Sequence, residues 1–386
     1  MQLTHEHNEL QRTTRRIIQE HLDPHIDQWE AEQIFPAHQV MKALGSAGLL
    51  GIGKPEEYGG MGLDFSYEMV FAETLGEVRS SGLTSAIGVQ STMCTPALTR
   101  HGSDALKKAF LAPTIAGDLV GCIGVSEASA GSDVSQIKTW ARRDGDDYVI
   151  NGSKMWITNG VQGDWICLLC NTSQEGGPHK NKSLIIVPLK TPGVSVSRKL
   201  DKMVLRASDT AELFFDDVRV PVSNRIGDEN MGFIYQMEQF QEERMFVAAR
   251  CLRSMELAVQ ETIEYTSQRQ VFGHSVLSNQ VVYHKMAEVQ SEIEALRSLL
   301  YRAIDQYMDG KDITQLASMA KYLAGKLSMK IPSECLQYWG GQGVMSENWI
   351  SRAYRDLRQT GIGGGANEIM LEIIAKTMNI HPGKRR

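Results

Sequence analysis

Apolar residues recur three or four positions apart through residues 10–22 and again through residues 67–78, which places them on one face of an α-helix. Pro36, Pro55 and Gly59-Gly60 punctuate these runs. Residues 1–120 therefore read as a helical N-terminal domain. From 121 to 232 the texture shifts to short apolar segments bounded by turn residues. Asp144-Gly145-Asp146-Asp147 signals a turn, Tyr148-Val149-Ile150 a strand and Asn151-Gly152 a second turn. Residues 183–189, 193–197 and 211–215 read as further strands, and 216–221 closes an antiparallel middle β-domain. From 233 to 386 long helical patterns return, broken at Gly273, Gly310 and Pro332 and by a Gly-rich loop at 361–365. The order α, β, α predicts an α+β fold, mainly α.

Composition narrows the function classes. With 386 residues, two or three domains with ample core are expected. A net charge of -6 leaves no basic excess to neutralise phosphates, which argues against a nucleic-acid partner. No apolar run approaches the roughly 18 residues of a membrane span. Residues 1–7 show neither a charged-then-apolar signal nor an Arg- and Ser-rich transit pattern, so a cytoplasmic protein is expected. The six cysteines are scattered, as reduced thiols would be. Cys167 and Cys170 form a CxxC, but inside an apolar run, 165–170, that reads as a buried strand rather than a redox or zinc motif; no metal site is expected. His5 and His7 read as mobile terminal residues, and Lys384-Arg385-Arg386 as a solvated end.

Three segments carry candidate chemistry. Residues 122–133 follow an apolar strand with small and hydroxyl residues, so backbone N–H groups there can approach a planar or phosphorylated ligand; an ordinary Ser/Gly loop has the same composition. In Gly152-Ser153-Lys154-Met155-Trp156-Ile157-Thr158, an indole and a hydroxyl two residues apart on a strand share a face. Trp156 can stack on a flat ring while Thr158 donates to it, or Trp156 is simply core. In Arg269-Gln270-Val271-Phe272-Gly273, with Gln280 beyond, an Arg beside an aromatic can pin a pyrophosphate, or can close a helix on its Gly.

In this order and spacing, with residues 55–60, 208–215, Gln337-Tyr338-Trp339-Gly340-Gly341 and Asn367-Glu368-Ile369, these segments resemble the acyl-CoA dehydrogenase family over essentially the whole chain. The resemblance implies a helical N-domain, a β-barrel-like middle domain, a C-terminal four-helix bundle, a homotetramer, an FAD cofactor and an electron-transferring flavoprotein as partner. It implies that Val125, Ser126, Ser132, Trp156 and Thr158 contact the flavin. Arg269, Phe272 and Gln280, with Gln337 and Gly341, would hold the ADP half, across a subunit interface, and Glu368 would also contact the cofactor. Ser132, Arg244 and Gly364 would face the substrate. A Thr common after the Gly-rich loop is Ala366 here, which puts one flavin hydrogen bond in doubt.

The family reaction needs a carboxylate to take the substrate's α-proton. Many members carry it in a Tyr-Glu-Gly-Thr loop, but this chain reads Gly363-Gly364-Gly365-Ala366, with Gly364 at the Glu position. The isovaleryl and long-chain branches place the base on a helix in a Glu-Arg pair, and Gln241-Glu242-Glu243-Arg244 matches with Glu243 in register. Phe240 and Val247 share its helical face, and an apolar face raises a carboxylate's pKa. By pattern Glu242 is nearly as good; only the family register separates them. The expected reaction is α,β-dehydrogenation of a medium- or long-chain or 3-methyl-branched acyl-CoA, such as citronellyl-CoA, to the trans-2-enoyl-CoA. A flavin oxidase or monooxygenase on the same fold, or a non-catalytic scaffold, are the other readings.

Overall fold

Thr4 starts the first helix because its hydroxyl accepts from His7 N while the His7 ring accepts from Thr4 N, a reciprocal cap. His7 is not a mobile end: it is buried, its Nε2 lies 2.8 Å from Ser66 Oγ, and its ring stacks on Tyr67. The computed structural model describes residues 1–383, so the basic end 384–386 lies outside the described residues. Eight helices build the first part: α1 His5–Ile17, α2 Ile26–Glu32, α3 Ala37–Ser46, α4 Phe65–Leu75, α5 Ser81–Gly88, α6 Pro96–His101, α7 Asp104–Leu106 and α8 Ala112–Ile115.

Eight strands follow: β1 Gly121–Gly124, β2 Trp140–Asp144, β3 Asp147–Thr158, β4 Trp165–Asn171, β5 Lys182–Pro188, β6 Val194–Val196, β7 Thr210–Pro221 and β8 Arg225–Ile226. They form one sheet in the order β6-β7-β3-β2-β4-β5-β8, with β1 beside β4. The sheet is mixed rather than purely antiparallel, because β1 runs parallel to β4 and β2 touches β4 in parallel at Trp140 and Asn171. Asn151-Gly152 is not a turn. It sits inside β3 at a bulge, where Gly152 takes φ +142° and passes so close to Thr139 that a Cβ would lie 2.7 Å from its Cα. Strand β4 is buried throughout. Trp165, Cys167 and Leu169 enter the core shared with the helices, while Ile166, Leu168 and Cys170 enter a second core inside the β-domain. The CxxC cysteines therefore face opposite ways, and both are free thiols.

The remaining helices are α9 Gly232–Gln268, α10 Gln280–Met308, α11 Thr314–Trp339, α12 Trp349–Asp356 and α13 Asn367–Thr377, with a small hairpin, β9 Gln270–Val271 and β10 His274–Ser275, between the first two. Pro332 does not end a helix as expected; it lies within α11. Helix α11 packs against α9, α10 and α13. No helix among the described residues is long and apolar enough to cross a membrane.

One buried carboxylate joins all three parts. Asp356 accepts from Ser81 N at 3.2 Å in the first helical part and from Leu205 N at 2.8 Å in the loop before β7. Beside it, Arg352 pairs with Asp27 and Glu30 and donates to Arg79 O, while Ser80 Oγ donates to Glu30. Replacing Asp356 with Ala strands two backbone N–H groups in the interior. We expect Asp356→Ala to lower stability by about 2–4 kcal/mol, read as the midpoint shift in urea unfolding. A loss below about 0.5 kcal/mol would mean that the junction does not depend on this carboxylate.

Candidate active site

Neighbouring residues on a helix point about 100° apart, so Glu242 and Glu243 on α9 see different surroundings. Glu242 is buried and accepts two hydrogen bonds, from Arg100 Nη1 at 2.6 Å and Tyr307 Oη at 2.6 Å. Glu243 accepts none among the described residues. Burial pushes its carboxyl up to about 7, against the pull of the Arg244 and Lys321 cations. A side chain can be partly open to solvent, as Glu243 is, and still be strongly desolvated when protein packs around its carboxylate.

Gly364 faces this carboxylate. A Cβ at residue 364 would lie 3.1 Å from Glu243 Oε1, 3.8 Å from Val247 Cγ2 and 3.7 Å from Lys321 Cε. Its φ of +66° is a left-handed conformation that glycine adopts without a Cβ clash. The other two glycines of the loop do not open onto the same space. The Gln359 amide fills the Cβ direction of Gly363, and Met370 Cε would lie 2.6 Å from a Cβ on Gly365. Lys321, fully buried on α11, donates to Thr360 O and Gly365 O, both at 2.6 Å, and so spans the loop. Arg244 is buried beside Glu243 and its Nε has no partner; burial draws its pKa down, with Glu243 opposing.

A second group forms on the β-domain. Glu127 accepts from Lys138 N, Thr139 N, Thr139 Oγ1 and the buried Lys154 Nζ, at 2.6–2.9 Å. Burial alone would raise the Glu127 carboxyl, but the Lys154 ammonium and these donors outweigh it and hold it below its ordinary value. Lys154 Nζ also donates to Val125 O at 2.9 Å, and Met155 N donates to Ser126 O at 2.9 Å. The 125–132 loop is thereby fastened to β3 beside Trp156 and Thr158. The β3 ladder is irregular between Lys154 and Ile157, so simple alternation does not govern the Trp156–Thr158 stretch. Trp156 instead takes φ +61° and exposes 57% of its surface at an open cleft of about 610 Å³. Ser132 is exposed, and nothing lies within 4 Å of where a Gly131 Cβ would be. A bare indole beside a fastened loop of small residues suits a flat ring system.

Arg269, Phe272, Gln280, Gln337 and Gly341 form a third group, all exposed. The stacked Tyr265 and Trp339 rings and the Tyr338 Oη to Val281 O bond bring the end of α11 alongside the β9–β10 hairpin. Phe272, at the hairpin tip, is 98% exposed. Among the described residues no hydrogen bond or ring contact joins this group to Trp156 or Thr158 within the chain. Glu368 is exposed in the first turn of α13, and Ala366, its N-cap, offers no capping side chain.

Comparison with known proteins gives the family. The N-terminal, middle and C-terminal domains of acyl-CoA dehydrogenase match residues 4–118, 122–218 and 230–379. The mitochondrial long-chain specific acyl-CoA dehydrogenase of Sus scrofa is 37% identical over 96% of this chain and 86% of its own length. The chain belongs to the acyl-CoA dehydrogenase family. The mitochondrial isovaleryl-CoA dehydrogenase of Pongo abelii is 31% identical, over 98% of this chain and 89% of its own. An acyl-CoA dehydrogenase from Geobacillus kaustophilus superposes with a TM-score of 0.94 at 38% identity, covering 98% of this chain and 99% of its own. The protein is thus an FAD-dependent oxidoreductase of the acyl-CoA dehydrogenase fold.

Lys321, Glu127 and Lys154 escape the motif reading. For Lys321 a signal exists: Ala317 and Ala324, four before and three after it, are buried, so the helical period puts a lysine inside the core.

The raised Glu243 carboxyl has a stability consequence. A carboxyl whose folded pKa of about 7 exceeds its ordinary 4.5 carries a penalty that is absent at low pH, grows as pH rises through this window and is full above it. Glu243→Gln removes the charge at constant shape. At pH 8 it should be more stable than the parent by on the order of 1–3 kcal/mol, with the difference vanishing near pH 4.5. Thermal midpoints across that range check it, and a variant less stable at pH 8 would contradict the desolvated carboxylate.

Proposed function

We propose that this acyl-CoA dehydrogenase uses Glu243 to remove the α-proton of an acyl-CoA thioester while the β-hydrogen leaves as hydride, giving the trans-2-enoyl-CoA. The observation that carries this reading is a carboxylate with no hydrogen-bond donor among the described residues, its pKa raised to about 7 by burial, at the glycine where a loop carboxylate would otherwise stand. An α-proton of a thioester is weakly acidic, so its base must be close, desolvated and free of competing donors. Glu242 is buried too, but its carboxylate is taken up by Arg100 and Tyr307, so it is not free of competing donors. Bound FAD supplies the hydride acceptor. Val125, Ser126, Ser132, Trp156 and Thr158 are the residues proposed to hold its ring. Arg269, Phe272, Gln280, Gln337 and Gly341 are proposed to hold the ADP half of a neighbouring copy's cofactor in a homotetramer, with Glu368 as a further cofactor contact. The bare Phe272 ring supports this, since an aromatic at a hairpin tip gains from a partner surface. Ser132, Arg244 and Gly364 line the proposed substrate side, and electrons pass on to an electron-transferring flavoprotein.

For the acyl group we propose medium to long chains, with 3-methyl-branched ones such as citronellyl-CoA accepted. Similarity to long-chain relatives and the bare Gly364 support this. Of the three glycines only Gly364 bears on the base, so room for a branch is small. A methylene in a pocket is worth only about 1–3 kcal/mol, which tunes preference rather than creating it. In anaerobic mixing, citronellyl-CoA and octanoyl-CoA should bleach the flavin with kcat/KM values within about tenfold of each other. A straight-chain advantage beyond that removes the branched substrate from the reading.

The base is tested separately. Glu243→Gln should keep its flavin and lose substrate-dependent bleaching by at least about 10²-fold, while Glu242→Gln stays within about tenfold of the parent. The reverse pattern would move the assignment to Glu242. Because a Cβ at 364 already lies 3.1 Å from Glu243 Oε1, Gly364→Glu combined with Glu243→Gly should recover part of the rate despite about 1–2 kcal/mol of left-handed backbone strain. No recovery in a folded, yellow double variant would show that the two positions do not serve one carbon.

A further inference from the structure

We infer that Lys321 is the positioning residue of this site: its buried ammonium ties both ends of the Gly-rich loop together and holds a positive charge behind Glu243. The inference rests on Glu243 being the base. Lys321 is fully buried among Ala317, Ala320 and Ala324, a place where an aliphatic side chain would satisfy packing without removing an ammonium from water. It has no ion-pair partner among the described residues. Its two short bonds go to backbone carbonyls, Thr360 O and Gly365 O, which bracket the loop. Gly364 at φ +66° and Gly365 at +96° lie in this span, and because glycine loses the most conformational freedom on ordering, a loop of glycines gains most from a restraint supplied from outside.

The same side chain reaches the base. Lys321 Cε and Glu243 Oε1 both lie within 4 Å of the point where a Cβ on Gly364 would stand, so loop, lysine stem and carboxylate meet there. The groups that act on the pair are Arg244 and Cys251, both on α9, and the turn at 357–361 brings the Arg358 guanidinium beside Gly361, next to the Thr360 carbonyl that Lys321 binds. Burial draws the ammonium down to about 8, with Cys251 and Glu243 opposing, so it remains charged at neutral pH. An opposite charge at this range favours the ionised carboxylate, so removing it should leave Glu243 protonated to higher pH.

The test compares Lys321→Met with Lys321→Arg as holoenzymes, in anaerobic flavin reduction by octanoyl-CoA from about pH 6 to 9. Lys321→Met should shift the acid limb of the rate upward by about one pH unit or more and slow reduction at pH 7 at least about tenfold. Lys321→Arg, which keeps the charge, should leave the limb in place. A yellow Lys321→Met protein with an unchanged pH profile overturns the inference, whereas an inactive Glu243→Gln in the same assay shows that the base reading stands regardless. Should Lys321→Met not fold, hydrogen exchange on the unaltered protein decides. The amides of residues 361–366 should exchange as slowly as those of α11, and exchange within seconds would show that the lysine does not hold the loop.

Discussion

The site is organised around a carboxylate that the protein declines to satisfy. Almost every other buried ion here is met by donors or acceptors: Glu127 by four donors, Glu242 by a guanidinium and a phenol, Asp356 by two backbone amides. Glu243 meets none among the described residues, and burial raises its carboxyl to about 7. A group so placed is destabilising at neutral pH, and it persists because α9 is fixed along its length by packing and by bonds that cross the molecule. Gln239 bonds to Met93 O and Ala97 N, Glu242 to Arg100, and Arg250 to Ser81 O, Thr84 and Ser85. The penalty at one residue is carried by the order of the whole helix.

The glycine loop makes that placement possible. Where a side chain at 364 would meet the Glu243 oxygen, there is none, and the carboxylate from α9 occupies the space instead. The chain thus brings a carboxylate to this point from a helix rather than from a loop, at the expense of a loop that has little conformational preference of its own. Two carbonyl bonds from Lys321 supply the missing restraint. The β-domain uses a similar device: Lys154, buried at the root of the 125–132 loop, holds Val125 O while balancing Glu127. In both places a buried ammonium acts on backbone, which fixes the position of small-residue segments that cannot fix themselves.

Much of this protein was legible from order and spacing. Helical periods marked the first and last parts, and turn residues marked the β-domain between them, because i, i+3 and i, i+4 spacing is a local property of the backbone. The ordered set of motifs carried the family, and the Glu-Arg pair with the missing loop carboxylate carried the base candidate. Local rules failed where long-range packing overrode them: His7 is held by Ser66, Asn151-Gly152 is absorbed into a bulged strand by Thr139 and β7, and Pro332 is tolerated inside a helix packed against α9, α10 and α13.

The choice between Glu242 and Glu243 shows where the boundary falls. Both residues sit in the same sequence context, and no period or propensity separates adjacent glutamates on a helix. Arg100 lies 142 positions from Glu242 in the chain, Tyr307 65 positions, and the Gly364 and Lys321 surroundings of Glu243 come from other segments again. Sequence determined which residues could do the chemistry, since side-chain type and helical register are written locally. Tertiary structure decided which carboxylate is satisfied and which is left desolvated, because a pKa is set by neighbours that only folding brings within a few ångströms.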